Sequence, residues 1–104
     1  MAEIRWSLTA ESDLRGIETF IAQDSALHAV DFIDRLVGAA EKLSSSPKLG
    51  RIVPEYNRED LREILFRNYR VVYQFHSNSL TVLRVVHGAR DLTNLVRQEP
   101  WILE

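Results

Sequence analysis

Three residues whose side chains can act on a phosphate lie in the C-terminal half of this sequence: Glu63, Arg70 and His87. Cleaving RNA without a metal requires a base for the 2′-hydroxyl proton, an acid for the leaving oxygen and a cation for the charged intermediate. His87 and Glu63 could handle the protons, and Arg70 or Arg90 could stabilise the charge. The alternative is a surface ion-pair cluster with one histidine at the end of a strand.

Other chemistries find less support in the sequence. The chain has no cysteine and only three histidines, so neither a thiolate metal site nor a histidine-rich one is expected. It contains no Gly-rich phosphate loop, and no serine stands in a nucleophile-elbow motif. We therefore expect no metal and no other cofactor.

The charge distribution indicates a partner more clearly than the net charge of −2 does. Residues 1–46 carry eight acidic and four basic side chains, a balance of −4, whereas residues 61–90 carry five arginines and one glutamate, a balance of +4. Arginine's planar fork suits carboxylate and phosphate groups. The basic segment is either a solvated face with internal ion pairs or a surface for an acidic partner or a nucleic acid.

The N-terminal half predicts a strand followed by two helices. Residues 3–8 alternate as a strand does, and Thr9 is a candidate N-cap for a first helix. Asp24 and Ser25 break this helix and cap a second, which stops at the serines before Pro47. The predicted apolar stripes are Leu14, Ile17 and Ile21 with Phe20 beside them, then Val30, Ile33, Val37 and Ala40 with Phe32 and Leu36 at the margins.

The C-terminal half predicts an antiparallel meander. Residues 47–60 show no periodicity and are predicted to form a loop, and residues 61–66, 69–76 and 80–87 read as strands joined by tight turns. A short helix or tail containing Trp101 would follow. The expected fold is one α+β domain over residues 1–104, in which a helical hairpin covers one face of a small twisted antiparallel sheet. The N-terminus lacks a signal peptide and no run could cross a bilayer, so we expect a cytoplasmic protein with no membrane partner.

Two-residue turns divide the strand residues between two faces. The predicted core face holds Tyr69, Val71, Tyr73, Phe75, Leu80, Val82 and Val86, joined by Ile64 and Phe66. Arg84 falls on this side and should reach a helix carboxylate, whereas Arg62 lies near the strand end and is expected to be exposed. The open face gathers Glu63, Arg70 and His87. Leu65, Val72 and Val85 make it half apolar, so the C-terminal tail or a partner should cover it.

Four motifs in this order resemble the RelE/ParE superfamily of type II toxins, over nearly the whole chain. They are the AESDLRGI helix, Leu43-x-x-x-Pro47-x-Leu49-Gly50-Arg51, Leu61-Arg62-Glu63-Ile64 with Tyr69-Arg70-Val71-Val72-Tyr73, and the VLRVVHGAR strand ending. The resemblance implies a compact toxin that an antitoxin encoded beside it neutralises, and that meets operator DNA only through this antitoxin.

Members of the superfamily divide by target. RelE-like members cut mRNA on the ribosome, using a strand arginine that Arg70 matches and a late histidine or arginine near which His87 lies. ParE-like members, associated with plasmid stabilisation, bind DNA gyrase and block it without being nucleases. The late arginine and tyrosine of the nucleases fall at Leu92 and Val96 here, and no tyrosine follows Tyr73.

The ParE branch is therefore favoured: a gyrase inhibitor that is not an enzyme. Its partner surface would be Arg62, Arg67, Arg70, His87 and Arg90. The alternatives are a metal-independent, ribosome-dependent mRNA endonuclease with Arg70, His87 and Glu63 as catalytic residues, or an inactive relative that only binds its antitoxin.

Overall fold

The computed structural model describes residues 1–90, 92 and 93. Five strands form one sheet in the order β1-β5-β4-β3-β2, in which β1 runs parallel to β5 and all other neighbours are antiparallel. The expected α+β architecture is confirmed. The elements are β1 (Glu3–Trp6), α1 (Leu8–Ala22), α2 (Ala26–Glu41), a 3-10 turn (Lys42–Ser44), β2 (Arg51–Ile52), β3 (Leu61–Phe66), β4 (Tyr69–His76) and β5 (Ser79–His87).

The segment 47–60 is not wholly a loop, because β2 pairs with β3 within it. The predicted C-terminal helix or tail, Trp101 included, lies outside the described residues apart from Leu92 and Thr93. Among the described residues, no helix is long and apolar enough to cross a membrane.

Serine side chains start both helices. The hydroxyl of Ser25 accepts a hydrogen bond from the His28 amide at 3.1 Å, which confirms the predicted cap of α2. For α1 the predicted cap, Thr9, is wrong: the cap is Ser7, whose hydroxyl accepts from the Ala10 amide at 2.9 Å. The helix begins earlier because β1 already ends at Trp6, so Ser7 is the extended residue at the junction.

The main core lies between the helical hairpin and one face of the sheet. In α1 the predicted stripe of Leu14, Ile17 and Ile21 packs there, but Phe20 is 68% exposed. In α2 the buried residues are Ala29, Leu36 and Ala40, with Phe32 and Ile33 packed beside them, whereas Val30 is 51% exposed. The inward face of α2 is thus rotated from the predicted stripe, with Leu36 at its centre and two alanines that allow close approach.

A register shift opposite Val72 and Tyr73 changes the faces of the last strand. Tyr73 pairs with Val82 and Val72 with Arg84, so Leu83 is the extra residue of a bulge. Because one extra residue inverts the alternation that follows, Val85 packs in the helix-side core and Val86 on the opposite face. The predicted faces of both residues are therefore wrong, and the same shift moves His87.

A second, smaller core covers the other face of the sheet. It consists of Val53, Leu61, Val72, Leu83, Val86 and Leu92, with Tyr56 packed against it. The face predicted to be open is therefore covered, and its cover is the chain's own segment 53–60 together with Leu92. We call residues 53–60 the strap. Leu65 remains 62% exposed beyond it.

Candidate functional site

Two of the three predicted catalytic residues meet beneath the strap. Arg70 Nε donates to Glu63 Oε1 at 2.7 Å, and both residues are almost completely buried. They share a face because β3 and β4 pair in the register that sets Leu65 opposite Arg70. The prediction that Glu63 and Arg70 lie together is confirmed.

Arg70 is held by more than Glu63. Its two terminal nitrogens bind both oxygens of Glu55 at 2.8 Å each, and Nη1 also donates to the Arg90 carbonyl at 3.1 Å. The Glu55 carboxylate in turn accepts from the Leu92 amide at 3.1 Å. Four of the five guanidinium N–H groups are thus directed at protein oxygens, which leaves little donor capacity for a phosphate.

The network favours the charged forms of Arg70 and Glu55. The hydrogen bonds from Arg70 lower the pKa of Glu55 to about 2, against the opposing effect of burial. The two carboxylates, Glu55 first, raise the pKa of Arg70. Arg51 closes the network from outside, with Nε 2.6 Å from Glu63 Oε2 and its side chain 58% exposed. Sequence reasoning missed Glu55, because no periodic pattern places the residues of an irregular segment, and Arg51, because the two residues of β2 are too few to show a period.

His87 does not join this network. It pairs with Tyr69, and the two rings meet edge to face with centroids 5.9 Å apart, whereas Arg70 pairs with Val86. The expectation that His87 shares a face with Arg70 and Glu63 is wrong, because the bulge at Leu83 shifts β5 by one residue.

An exposed groove at this end of the sheet contains His87. Its volume is about 460 Å³, and it is lined by Arg51, Leu65, Arg67, Asn68, Tyr69, His87, Gly88 and Ala89. Two guanidinium groups and an imidazole face it, and none of the described residues that line it carries a carboxylate. We call it the cationic groove. Of the predicted partner surface it retains Arg67 and His87, and it adds Arg51.

The other arginines of the basic segment have separate positions. The side chain of Arg62 is only 14% exposed: it donates to the carbonyls of Glu59 and Gly50 and lies over the Phe75 ring, so the expected exposure is wrong. Arg90 is exposed. Arg84 forms a two-pronged ion pair with Asp13 of α1 at 2.9 and 3.1 Å, which confirms the predicted structural role.

The motif residues before the sheet are partners of the motif residues within it. Tyr73 donates its hydroxyl proton to the Pro47 carbonyl at 2.6 Å and accepts from the Gly50 amide at 3.0 Å. A Cβ at Gly50 would lie 2.5 Å from the Glu63 carbonyl oxygen, so only glycine fits this close approach. Pro47, Gly50 and Tyr73 therefore have a structural role: they fix the path of the chain before β2. Within the described residues, no three potential metal ligands cluster.

A helical hairpin packed on a five-stranded, mostly antiparallel sheet makes this a small α+β domain. A solved structure described as the chromosomal ParDE TA system from P. aeruginosa has the same fold, with a TM-score of 0.70 over 84% of this chain and 96% of that one, at 18% identity. Toxin RelE2 of Caulobacter vibrioides is 31% identical over 90 residues, which are 86% of this chain and 99% of that protein.

The family model "ParE toxin of type II toxin-antitoxin system, parDE" matches residues 4–92. The chain belongs to this family, within the RelE/ParE superfamily. It is thus the toxin of a type II toxin–antitoxin system, and its family implies a cognate antitoxin as partner.

Proposed function

We propose that this toxin acts by binding DNA gyrase and inhibiting it, and that it does not cut RNA. The observation that carries the proposal is the state of Arg70. This arginine corresponds to the strand arginine of the ribonuclease branch, yet it is buried and bound to two carboxylates and a carbonyl. To stabilise a phosphate it would have to give up bonds that hold the strap in place.

Two further features support a binding function. His87, the proposed proton carrier, pairs with Tyr69 and is separated from Arg70 by the pleat of the sheet. Glu63 is buried between Arg70 and Arg51 and is therefore not exposed to a substrate. The basic groups that remain exposed line the cationic groove. Such a surface can bind an acidic patch on a protein, or an enzyme that is itself bound to nucleic acid.

The test is a supercoiling assay with purified DNA gyrase and relaxed plasmid. We expect inhibition that saturates with toxin and disappears when the antitoxin is added first. Toxin preincubated with antitoxin is the matched control. Unimpaired supercoiling at saturating toxin would refute the proposal.

The cationic groove also supports a second candidate, a ribosome-dependent mRNA endonuclease. His87 is exposed there beside Arg67, so an imidazole and a charge stabiliser are available without Arg70, whereas Arg51 is paired with Glu63. His87→Gln is the informative variant, because removing Arg70 would disturb the fold. Cleavage of ribosome-bound mRNA by the wild type that is lost in His87→Gln would establish the nuclease and overturn the preference for gyrase.

A further inference from the structure

A second pocket lies on the other side of the Arg67-Asn68 turn, at the tip of the helical hairpin. We call it the hairpin-tip pocket. Its volume is about 280 Å³, and Phe20, Phe32 and Tyr69 supply aromatic walls, with Asp24, Ile21 and His28 at its sides. This is slightly below the ~300–1,000 Å³ typical of small-molecule sites, so it suits a single side chain better than a cofactor.

Two residues of this pocket present groups that the fold does not use. Phe20 is 68% exposed, although its ring is large and apolar. Asp24 is exposed, and within the described part of the chain its carboxylate has neither an ion pair nor a side-chain hydrogen bond. Exposed aromatic surface beside an unpaired carboxylate does not stabilise the folded protein. The two groups together are complementary to a cation.

The surroundings indicate the sign and source of the occupant. Residues 8–41 carry seven acidic and two basic side chains. Asp13 is paired with Arg84 and Asp31 with Arg35, so among the described residues five acidic side chains and one basic side chain of this segment have no ion pair. Such a surface repels phosphate and attracts basic groups, which argues against a nucleic acid here. The family implies an antitoxin as a protein partner of this toxin, so we take a basic side chain of the antitoxin as the occupant.

We propose that the hairpin-tip pocket receives an arginine or lysine side chain of the antitoxin. The cation lies against the ring faces of Phe20, Phe32 or Tyr69, and its charge is paired with Asp24. An arginine fits best, because a planar guanidinium can stack on a ring and bind a carboxylate at once. The inference rests on the toxin–antitoxin assignment and is independent of the toxin's target.

The test is a set of double-mutant cycles with the purified antitoxin. Asp24→Asn and Phe20→Ala in the toxin are each combined with Arg→Gln or Lys→Gln changes in the antitoxin, and affinities are measured by calorimetry. We expect Asp24→Asn and Phe20→Ala each to weaken binding roughly threefold to tenfold, as an ion pair and a cation–π contact would. For one basic residue of the antitoxin, the loss of binding free energy in the double mutant should differ from the sum of the losses in the two single mutants.

Two control variants match these changes outside the pocket. Asp34→Asn removes an exposed carboxylate from α2, and Leu27→Ala truncates a side chain that is 85% exposed. Both should leave affinity within about twofold. Strictly additive cycles with every antitoxin cation, or equal losses in Asp34→Asn and Asp24→Asn, would overturn the proposal.

The outcome is separable from that of the gyrase assay. Coupling between Asp24 and an antitoxin cation would support the pocket even if supercoiling were unaffected. Gyrase inhibition with additive cycles would leave the proposed target standing and refute the pocket. If the residue coupled to Phe20 were apolar, the pocket would be an ordinary hydrophobic contact and the cation assignment would be wrong.

Discussion

Arg70 connects parts of the chain that are distant in sequence. Its guanidinium joins β4 to Glu63 of β3, to Glu55 of the strap and to the carbonyl of Arg90 beyond β5. The pair with Glu55 is largely shielded from water, with side-chain exposures of 5% and 17%. Removing Arg70 would leave two carboxylates without their main counter-ion. The loss of stability on its removal should therefore be large.

The first prediction concerns this loss. We expect Arg70→Met to lower the free energy of unfolding by about 3–5 kcal/mol, the range seen when one partner of a buried ion pair is removed. Urea denaturation followed by circular dichroism measures the change. Arg35→Met is the control, because its exposed pair with Asp31 should contribute less than ~0.5 kcal/mol. Equal effects of the two substitutions would contradict a structural role for the network.

The second prediction concerns the acid stability that Glu55 provides. Its pKa falls from the ordinary value of 4.5 to about 2 in the folded protein. The stabilisation is therefore complete above pH 4.5 and is lost as the pH falls towards 2, where the folded protein also binds the proton. Glu55→Gln removes this contribution. The difference in unfolding free energy between wild type and variant should be constant from pH 5 to 7 and shrink between pH 4.5 and 2. A difference that does not change with pH would exclude the linkage.

At the scale of whole elements, Ser7 joins three of them. It follows β1, caps α1 through the Ala10 amide, and donates its hydroxyl proton to the Leu83 carbonyl in the bulge of β5. Both of these hydrogen bonds are buried. Ser7 therefore aligns the start of α1 with the bulge of β5. Its side chain is completely buried.

The third prediction compares the two helix caps. Ser7→Ala should cost about 1–2 kcal/mol of unfolding free energy, because it leaves an amide and a carbonyl unpaired in the interior. Ser25→Ala removes an exposed cap that accepts one hydrogen bond, so it should lower the unfolding free energy by only about 0.5–1 kcal/mol. Thermal or urea unfolding of both variants measures the order. A larger loss in Ser25→Ala would mean that Ser7 does not couple α1 to β5.

The bulge also marks where reasoning from sequence stopped being reliable. Two tight turns and strict alternation placed Tyr73, Val82 and their neighbours on the correct face, because these rules depend only on local geometry. The extra residue at Leu83 leaves no local signal, because the strand contains no glycine, proline or turn residue at that point, so the predicted faces of Val85, Val86 and His87 are inverted. The predicted pairing of Arg84 with a helix carboxylate was nevertheless right, through a different register.

The strap shows a second reason for incomplete prediction. Glu63 and Arg70 could be placed together, because the pairing of β3 and β4 follows from the turn between them. Glu55 could not, because it lies in an irregular segment whose path is set by tertiary contacts such as the packing of Val53 and Tyr56. The candidate catalytic cluster consequently proved to be half of a buried ion-pair network.

At the scale of the molecule, the turn at Arg67-Asn68 separates two pockets of opposite character. Asn68 and Tyr69 line both of them, with the cationic groove on the side of β3 and the hairpin-tip pocket on the side of the helices. The charge asymmetry of the sequence therefore appears in the fold as neighbouring acidic and basic surfaces at one end. In the proposals above, the basic surface meets the target and the acidic surface meets the antitoxin.

The last prediction tests this division. Within the described residues neither Arg67 nor His87 has an ion pair, but Arg67 lies over the Phe66 ring and the His87 ring packs edge to face on Tyr69. Arg67→Gln with His87→Gln should therefore lower the unfolding free energy by about 1–2 kcal/mol, the sum of two exposed aromatic contacts. We expect it to weaken gyrase binding several-fold, chiefly through slower association, and to reduce the dependence of that binding on salt.

The matched control is Arg5→Gln with His76→Gln, which removes the same two side-chain types from β1 and from the opposite end of β4. Surface plasmon resonance at two salt concentrations compares the variants. If both pairs weaken gyrase binding equally, the effect is one of net charge and the groove is not the contact surface. The proposed division is supported if only the groove variant loses gyrase affinity and its antitoxin affinity falls much less. An interface loses affinity mainly when residues that it buries are changed, so this result would mean that the two surfaces bind different partners.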